Sequence, residues 1–166
     1  MTNSKINTDQ FDDRLAAVYN RTDDKEQQYD EWAKNYDHDL VNDMEYVAFQ
    51  AAGDIFMTTV TDTSLGVLDV ACGKGLAGAY LTDHCYQNID GVDFSVEMLV
   101  RAKDRKIYQS TLQHDFTKPA DIENLYDALI CVGMFSFTIP KIADMHHVVN
   151  CVKPGGYCVI TVNGAA

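Results

Sequence analysis

The stretch Leu65-Gly66-Val67-Leu68-Asp69-Val70-Ala71-Cys72-Gly73-Lys74-Gly75-Leu76-Ala77-Gly78 decides the reading of the whole chain. Leu65 to Ala71 is a mostly apolar run of strand length. Two glycines follow at once, and an Ala-rich apolar segment, Leu76 to Leu81, reads as a helix. A strand, a glycine turn and a helix N-terminus make a backbone cradle for a ligand. Gly73 and Gly75 let the main chain come close to that ligand, and the first helical turn offers unpaired N–H groups.

Two ligand classes fit such a cradle. Gly73-x-Gly75-x-x-Gly78 satisfies the dinucleotide pattern, and Asp93 stands where that pattern wants a ribose-binding acid. Asp69 argues against it. A carboxylate at the mouth of the strand repels a pyrophosphate and suits a cationic ligand. Asp69-x-x-x-Gly73-x-Gly75 resembles instead the first signature of the class I S-adenosylmethionine (SAM) methyltransferases. The resemblance implies a glycine turn beside the amino-acid end of SAM, with the acid serving its ammonium.

Outward from this stretch, strands and helices alternate. Ile89–Asp93 reads as a second strand, and Ser95 caps a helix with Met98, Leu99 and Ala102 inside. Ile107–Leu112 reads as a third strand, Pro119-Ala120 as the start of a helical turn, and Ala128–Val132 as a fourth strand. Pro140 opens a helix whose apolar stripe is Ile142, Met145, Val149 and Val152. Pro154-Gly155-Gly156 turns into a fifth strand, Tyr157–Val162. This alternation predicts an α/β fold with a doubly wound, mainly parallel sheet. Acids recur at the C-terminal ends of the strands, at Asp69, Asp93 and Asp115, on the edge where open parallel sheets bind ligands. Asp93 can accept two hydrogen bonds from a ribose diol, and Phe94 beside it offers a flat face for adenine. Asp115 can accept from the adenine amino group, while the N–H of Phe116 donates to the ring.

The resemblance extends through Gly91-Val92-Asp93-Phe94-Ser95 with Met98-Leu99, His114-Asp115-Phe116, Tyr126-Asp127-Ala128-Leu129-Ile130 and Val152-Lys153-Pro154-Gly155-Gly156. These are similar, in order, to the successive class I methyltransferase signatures over residues 65 to 162. Tyr29-Asp30-x-Trp32-Ala33-x-x-Tyr36-Asp37 resembles the N-terminal lid of the same enzymes. The wording there and at Gly133–Phe137 is most similar to a methyltransferase-like branch of the family. The resemblance implies SAM as cofactor, a Rossmann-like sheet and methyl transfer to a small molecule or protein side chain. It implies cofactor contacts at Tyr36 from the lid, and at Asp69, Ala71, Gly73 and Gly75 from the first strand and turn. Asp93, Phe94 and Met98 follow from the second strand and its helix, then Asp115, Phe116 and Cys131 from the third and fourth strands. Lys74 in the turn is expected to face solvent. The fourth strand should deliver any general base, but its end, Cys131–Phe137, is apolar, so no catalytic base is named; His146 and His147 are expected mid-helix, away from the ligand edge. A SAM-binding module without catalysis is the rival reading, and a nicotinamide oxidoreductase the third.

Composition narrows the partners. The chain has 166 residues and a formal net charge of −12, which disfavours a nucleic-acid backbone as partner. No apolar run approaches membrane-spanning length. The five cysteines show no CxxC pair, so no metal site or disulfide framework is expected; reduced thiols in the cytoplasm are. Residues 1–10 are expected as a disordered tail and 11–60 as an N-terminal helical lid segment. In the latter, Tyr29, Trp32, Ala33 and Tyr36 fall on one helical face, and Met44–Met57 forms a further helix. Residues 61–166 are expected as the SAM-binding core. The family continues past the fifth strand with an antiparallel pair that this chain is expected to lack. Tyr157–Val162 would then be an exposed edge open to self-association.

Overall fold

The computed structural model describes residues 47–123, 125–135 and 141–162. The expected tail and the lid segment up to residue 46, with Tyr29, Trp32 and Tyr36, lie outside the described residues, as does Pro140; residues 47–60 of that segment are described.

Five strands form one sheet: β1 (Val67–Val70), β2 (Ile89–Asp93), β3 (Thr111–Gln113), β4 (Tyr126–Phe135) and β5 (Val152–Val162). Their order is β3-β2-β1-β4-β5, and every neighbouring pair is parallel. The helices are α1 (Ala48–Thr59), α2 (Leu76–Asp83), α3 (Val96–Asp104) and the short α4 (Met145–Val149), which follows a 3₁₀ turn at Ile142–Asp144. This is the α/β, doubly wound parallel sheet that the alternation of elements predicted. The order reverses direction between β1 and β4, so the crevice at their C-terminal ends is the place where such sheets bind ligands.

The sheet is covered on both faces, which is why its central strands are apolar throughout rather than alternating. All four residues of β1 are buried. Leu68 and Val70 pack with Val92, Leu129, Cys131, Phe116 and Val148 on one side. Val67 packs with Ile89, Ala128 and Ile130 against Ala52 and Phe56 of α1 and Ala77 and Leu81 of α2 on the other. Asp69 shares that second side of β1, so its carboxylate meets the first turn of α2 in an otherwise apolar layer.

Several elements differ from expectation. β3 begins at Thr111 rather than Ile107; Tyr108, within the expected strand, packs instead against Cys72, Leu99 and Ala102. Its ladder to β2 starts with Gln109 N–H donating to Ile89 O at 2.8 Å. Pro119-Ala120 starts no helical turn; the turn lies earlier, at Phe116–Thr117, where Asp115 Oδ1 accepts from Thr117 N–H at 3.0 Å. In the segment before β5 the buried residue is Val148, while Ile142 and Val149 are exposed. The helix there is one short turn joined to a 3₁₀ turn, so the period of a long α-helix does not apply. Pro154-Gly155-Gly156 does not precede β5 but lies within it. The register to β4 jumps from Tyr126↔Val152 to Ala128↔Tyr157, and the extra residues form a bulge with Gly155 at φ +86°.

A candidate cofactor site at the β1 glycine turn

The turn after β1 is held by three kinds of contact. Cys72 N–H donates to Val92 O at 3.0 Å, and Gly75 N–H donates to Cys72 O at 2.8 Å. Ala71, Gly73 and Gly75 all have positive φ, at 54°, 52° and 83°. For Ala71 that conformation is strained, a state that persists where the surroundings fix it and that clusters at ligand sites. Gly75 is the N-cap of α2 and gives it no side-chain cap.

Asp93 closes the turn from β2. Its Oδ2 accepts from Gly73 N–H at 2.8 Å and its Oδ1 from Ser95 N–H at 2.9 Å. A carboxylate accepts at about four lone pairs, so it is able to serve backbone donors and a ligand diol together. Ser95 Oγ in turn accepts from Met98 N–H at 3.2 Å, the N-cap that the sequence announced. Phe94 beside Asp93 is half-buried, and Met98 is fully buried under α3.

Asp69 sits deeper. It is 1% exposed, and its Oδ2 accepts from Gly78 N–H at 2.9 Å and from the Tyr108 hydroxyl at 2.6 Å. Burial pushes its carboxyl up from 3.8 to about 7; the two donors pull it down, and the charge of Asp93 pushes it up again. The Cys72 thiol between them is pushed well up by burial and by both carboxylates. Two acids therefore bear on one glycine turn.

The other expected contacts are scattered differently. Asp115 is exposed, caps its own turn and lies 3.9 Å from the Lys118 ammonium. Phe116 next to it is buried in the core. Cys131 is fully buried on β4 with its thiol pushed far up by burial, and its Sγ lies 3.7 Å from Met134 Sδ. Lys74 is buried, at 3% exposure, rather than facing solvent, and its carbonyl accepts from Arg105 Nε at 2.6 Å. The rings of His146 and His147 lie against one another in α4, tilted by 45° with centroids 3.8 Å apart. Among the described residues no group of His, Cys, Asp and Glu is arranged to hold a metal ion.

Two features of the turn suit SAM. A Cβ on Gly73 would meet nothing within 4 Å, so the outer side of the turn is open to a ligand. The two carboxylates make that turn a poor host for a pyrophosphate and a good one for a ligand carrying positive charge. The profile of a family described as a methyltransferase domain matches residues 67–156, more than half of the chain. The chain belongs to this methyltransferase family. Human Methyltransferase-like protein 27 is 34% identical over 143 residues, which are 80% of this chain and 55% of that protein. The chain thus spans about half the length of that relative. Among solved structures, a Methanococcus maripaludis protein described as an S-adenosyl-L-methionine-dependent methyltransferase superposes with a TM-score of 0.61 at 17% identity, covering 86% of this chain and 66% of that one. The DhpI–SAH complex superposes at 0.59 and 21% identity, covering 83% and 68%. At these identities the structures show the shared methyltransferase fold, not a shared reaction.

Sequence reasoning missed Tyr108. Its hydroxyl reaches Asp69 across 39 residues of sequence, and nothing local to Ile107-Tyr108-Gln109 marks it as more than a strand residue.

Proposed function

We propose that the chain binds SAM at the β1 glycine turn and transfers its methyl group to a small molecule or a protein side chain. One observation carries the reading: two carboxylates, Asp69 and Asp93, act on a turn whose outer side is open at Gly73. The family match supports it. In this reading Asp93 holds the ribose, Phe94 and Met98 border the adenine with Asp115 and Phe116, and Ala71, Gly73 and Gly75 pass beside the amino-acid end. Cys131 completes the expected contacts among the described residues. SAM supplies an activated methyl on a sulfonium, so the chain's own work is placement and exclusion of water. The five unpaired thiols fit a reducing, cytoplasmic setting. Among the described residues no helix is long and apolar enough to cross a membrane.

A second reading, a SAM-binding module without turnover, has its own support. The described end of β4 is Cys131-Val132-Gly133-Met134-Phe135, and its one titratable group is a thiol held protonated by burial. No general base is delivered there. Calorimetric titration with SAM, S-adenosylhomocysteine (SAH) and NAD tests the cofactor. SAM and SAH are expected to bind and NAD is not; binding of NAD alone would overturn the reading. Transfer of labelled methyl groups to small-molecule and protein acceptors then separates enzyme from binding module.

A further inference from the structure

Three glycines around the turn share one neighbour. A Cβ on Gly78 would stand 2.5 Å from the Tyr108 hydroxyl oxygen and 2.7 Å from its ring. A Cβ on Gly91 would meet the same ring at 3.2 Å, and one on Gly75 would meet it at 3.0 Å. One aromatic ring thus fills the space between the glycine turn, the first turn of α2 and the middle of β2. Its hydroxyl donates to Asp69 Oδ2 at 2.6 Å, the same oxygen that accepts from Gly78 N–H. Tyr108 thus leaves no room for a side chain at Gly78 and crowds positions 75 and 91, whereas the space beside Gly73 in the turn is open.

We infer that Tyr108 is a positioning residue for the cofactor turn, its hydroxyl favouring the ionised form of Asp69 beside the N-terminus of α2 while its ring sets the height of the turn. This rests on the reading that the turn receives SAM. Tyr108 itself touches no reacting atom. A purely packing role would be served by phenylalanine, whose ring fills the same space. The hydroxyl adds something packing does not need: a second donor to a buried carboxylate that has few. With both donors in place the ionised Asp69 can grip the Gly78 N–H, and the start of α2 is fixed where the ligand meets it. Without the hydroxyl the protonated form gains, and a neutral carboxyl grips an N–H less strongly. The titratable groups that bear on Asp69 are Tyr108 itself, Cys72 in the turn, Asp93 at the end of β2 and Cys131 on β4.

Tyr108→Phe separates the hydroxyl from the ring. The Gly78 amide resonance, followed by NMR against pH without any ligand, reports the ionisation of Asp69. In the wild type it should titrate near the value given above. In Tyr108→Phe the midpoint should move upward, and in Asp69→Asn the titration should vanish. Calorimetry at pH 8 should show SAM and SAH binding weakened about tenfold in Tyr108→Phe. The double variant Tyr108→Phe/Asp69→Asn should bind no more weakly than Asp69→Asn alone, because the hydroxyl acts through the carboxylate. A Tyr108→Phe chain with wild-type Gly78 titration and wild-type SAM affinity would overturn the assignment, as would fully additive losses in the double variant. A wild-type chain that binds neither SAM nor SAH would overturn the cofactor reading instead. The Gly78 titration would still decide whether the Tyr108 hydroxyl favours the ionised form of Asp69.

Discussion

At the scale of single residues, Asp93 and Asp69 divide the work of the turn. Asp93 ties β2 to Gly73 and to the N-cap at Ser95, so it supports the turn from within as well as facing the expected ribose. Asp93→Ala is expected to weaken SAM binding by tenfold or more, the order of a hydrogen bond to a charged group. Asp115→Ala should cost far less, since Asp115 is exposed and caps its own turn. Calorimetry on the two folded variants checks this; equal losses would remove the ribose assignment. Asp69 makes a second prediction, on stability. Its carboxyl is raised from 3.8 to about 7 in the folded chain. Between those values the native state holds a proton that the unfolded chain has released. Stability from this group is therefore greatest below the unfolded value, falls as pH rises toward 7 and is flat above it. Asp69→Asn should remove that slope, so the variant gains on the wild type between pH 4 and 7, by on the order of a few kcal/mol. Urea unfolding at pH 5, 6 and 7.5 measures it. A wild type equally stable at all three would contradict the burial of a carboxylate at this position.

At the scale of elements, the chain shows which signals survive folding. The limits of β2 were legible because Ile89 and Asp93 bound a short apolar run that both faces of the sheet can bury. The Ser95 cap was legible because capping is local, a side chain meeting an N–H three residues on. The inward turn of Tyr108 was not, because its partners Asp69, Gly78 and Gly91 are brought to it only by the sheet. The burial of Lys74 was missed for the same reason: a lysine in a glycine turn reads as solvated until the tertiary structure closes over it. The end of α2 shows a third kind of signal, which the sequence conceals. Tyr86 N–H donates to Leu81 O at 3.1 Å and Cys85 N–H to Thr82 O at 3.0 Å, the paired bonds of a Schellman ending. The residue that must be left-handed there is Cys85, at φ +73°, where glycine is the usual occupant. A side chain in that conformation costs about 1–2 kcal/mol, and glycine's greater freedom in the unfolded chain returns about half of it. Cys85 is exposed, so its side chain holds nothing in the core. Cys85→Gly is therefore expected to raise stability by up to about 1 kcal/mol, read as an upward shift in the thermal melt. A lower melting temperature would mean that the thiol contributes where the fold shows no contact for it.

At the scale of the whole molecule, β5 is the edge of the sheet among the described residues, with Tyr157, Cys158 and Val162 exposed along it. From Tyr157 to Val162 it carries β-branched residues, no charge and no proline, so nothing on the strand itself opposes pairing. We propose that two copies of the chain associate through it. The opposing force is global. A net charge of −12 makes two copies repel, and that repulsion is long-ranged only at low salt, since the screening length falls from about 30 Å at 0.01 M to about 8 Å at 0.15 M. Edge pairing acts at contact and is screened little. Association should therefore rise with salt as well as with protein concentration, the reverse of an assembly driven by ion pairs. The choice of variant follows from burial. Ile160 packs against the core, and a charge there would unfold the sheet rather than guard its edge. Val162 is 49% exposed, and Val162→Lys places a charge on the edge without emptying the core. Light scattering at rising concentration should show the wild-type mass climbing at the higher salt and Val162→Lys remaining a monomer. A wild type that stays monomeric at both salt levels would show that the edge is closed to a second copy.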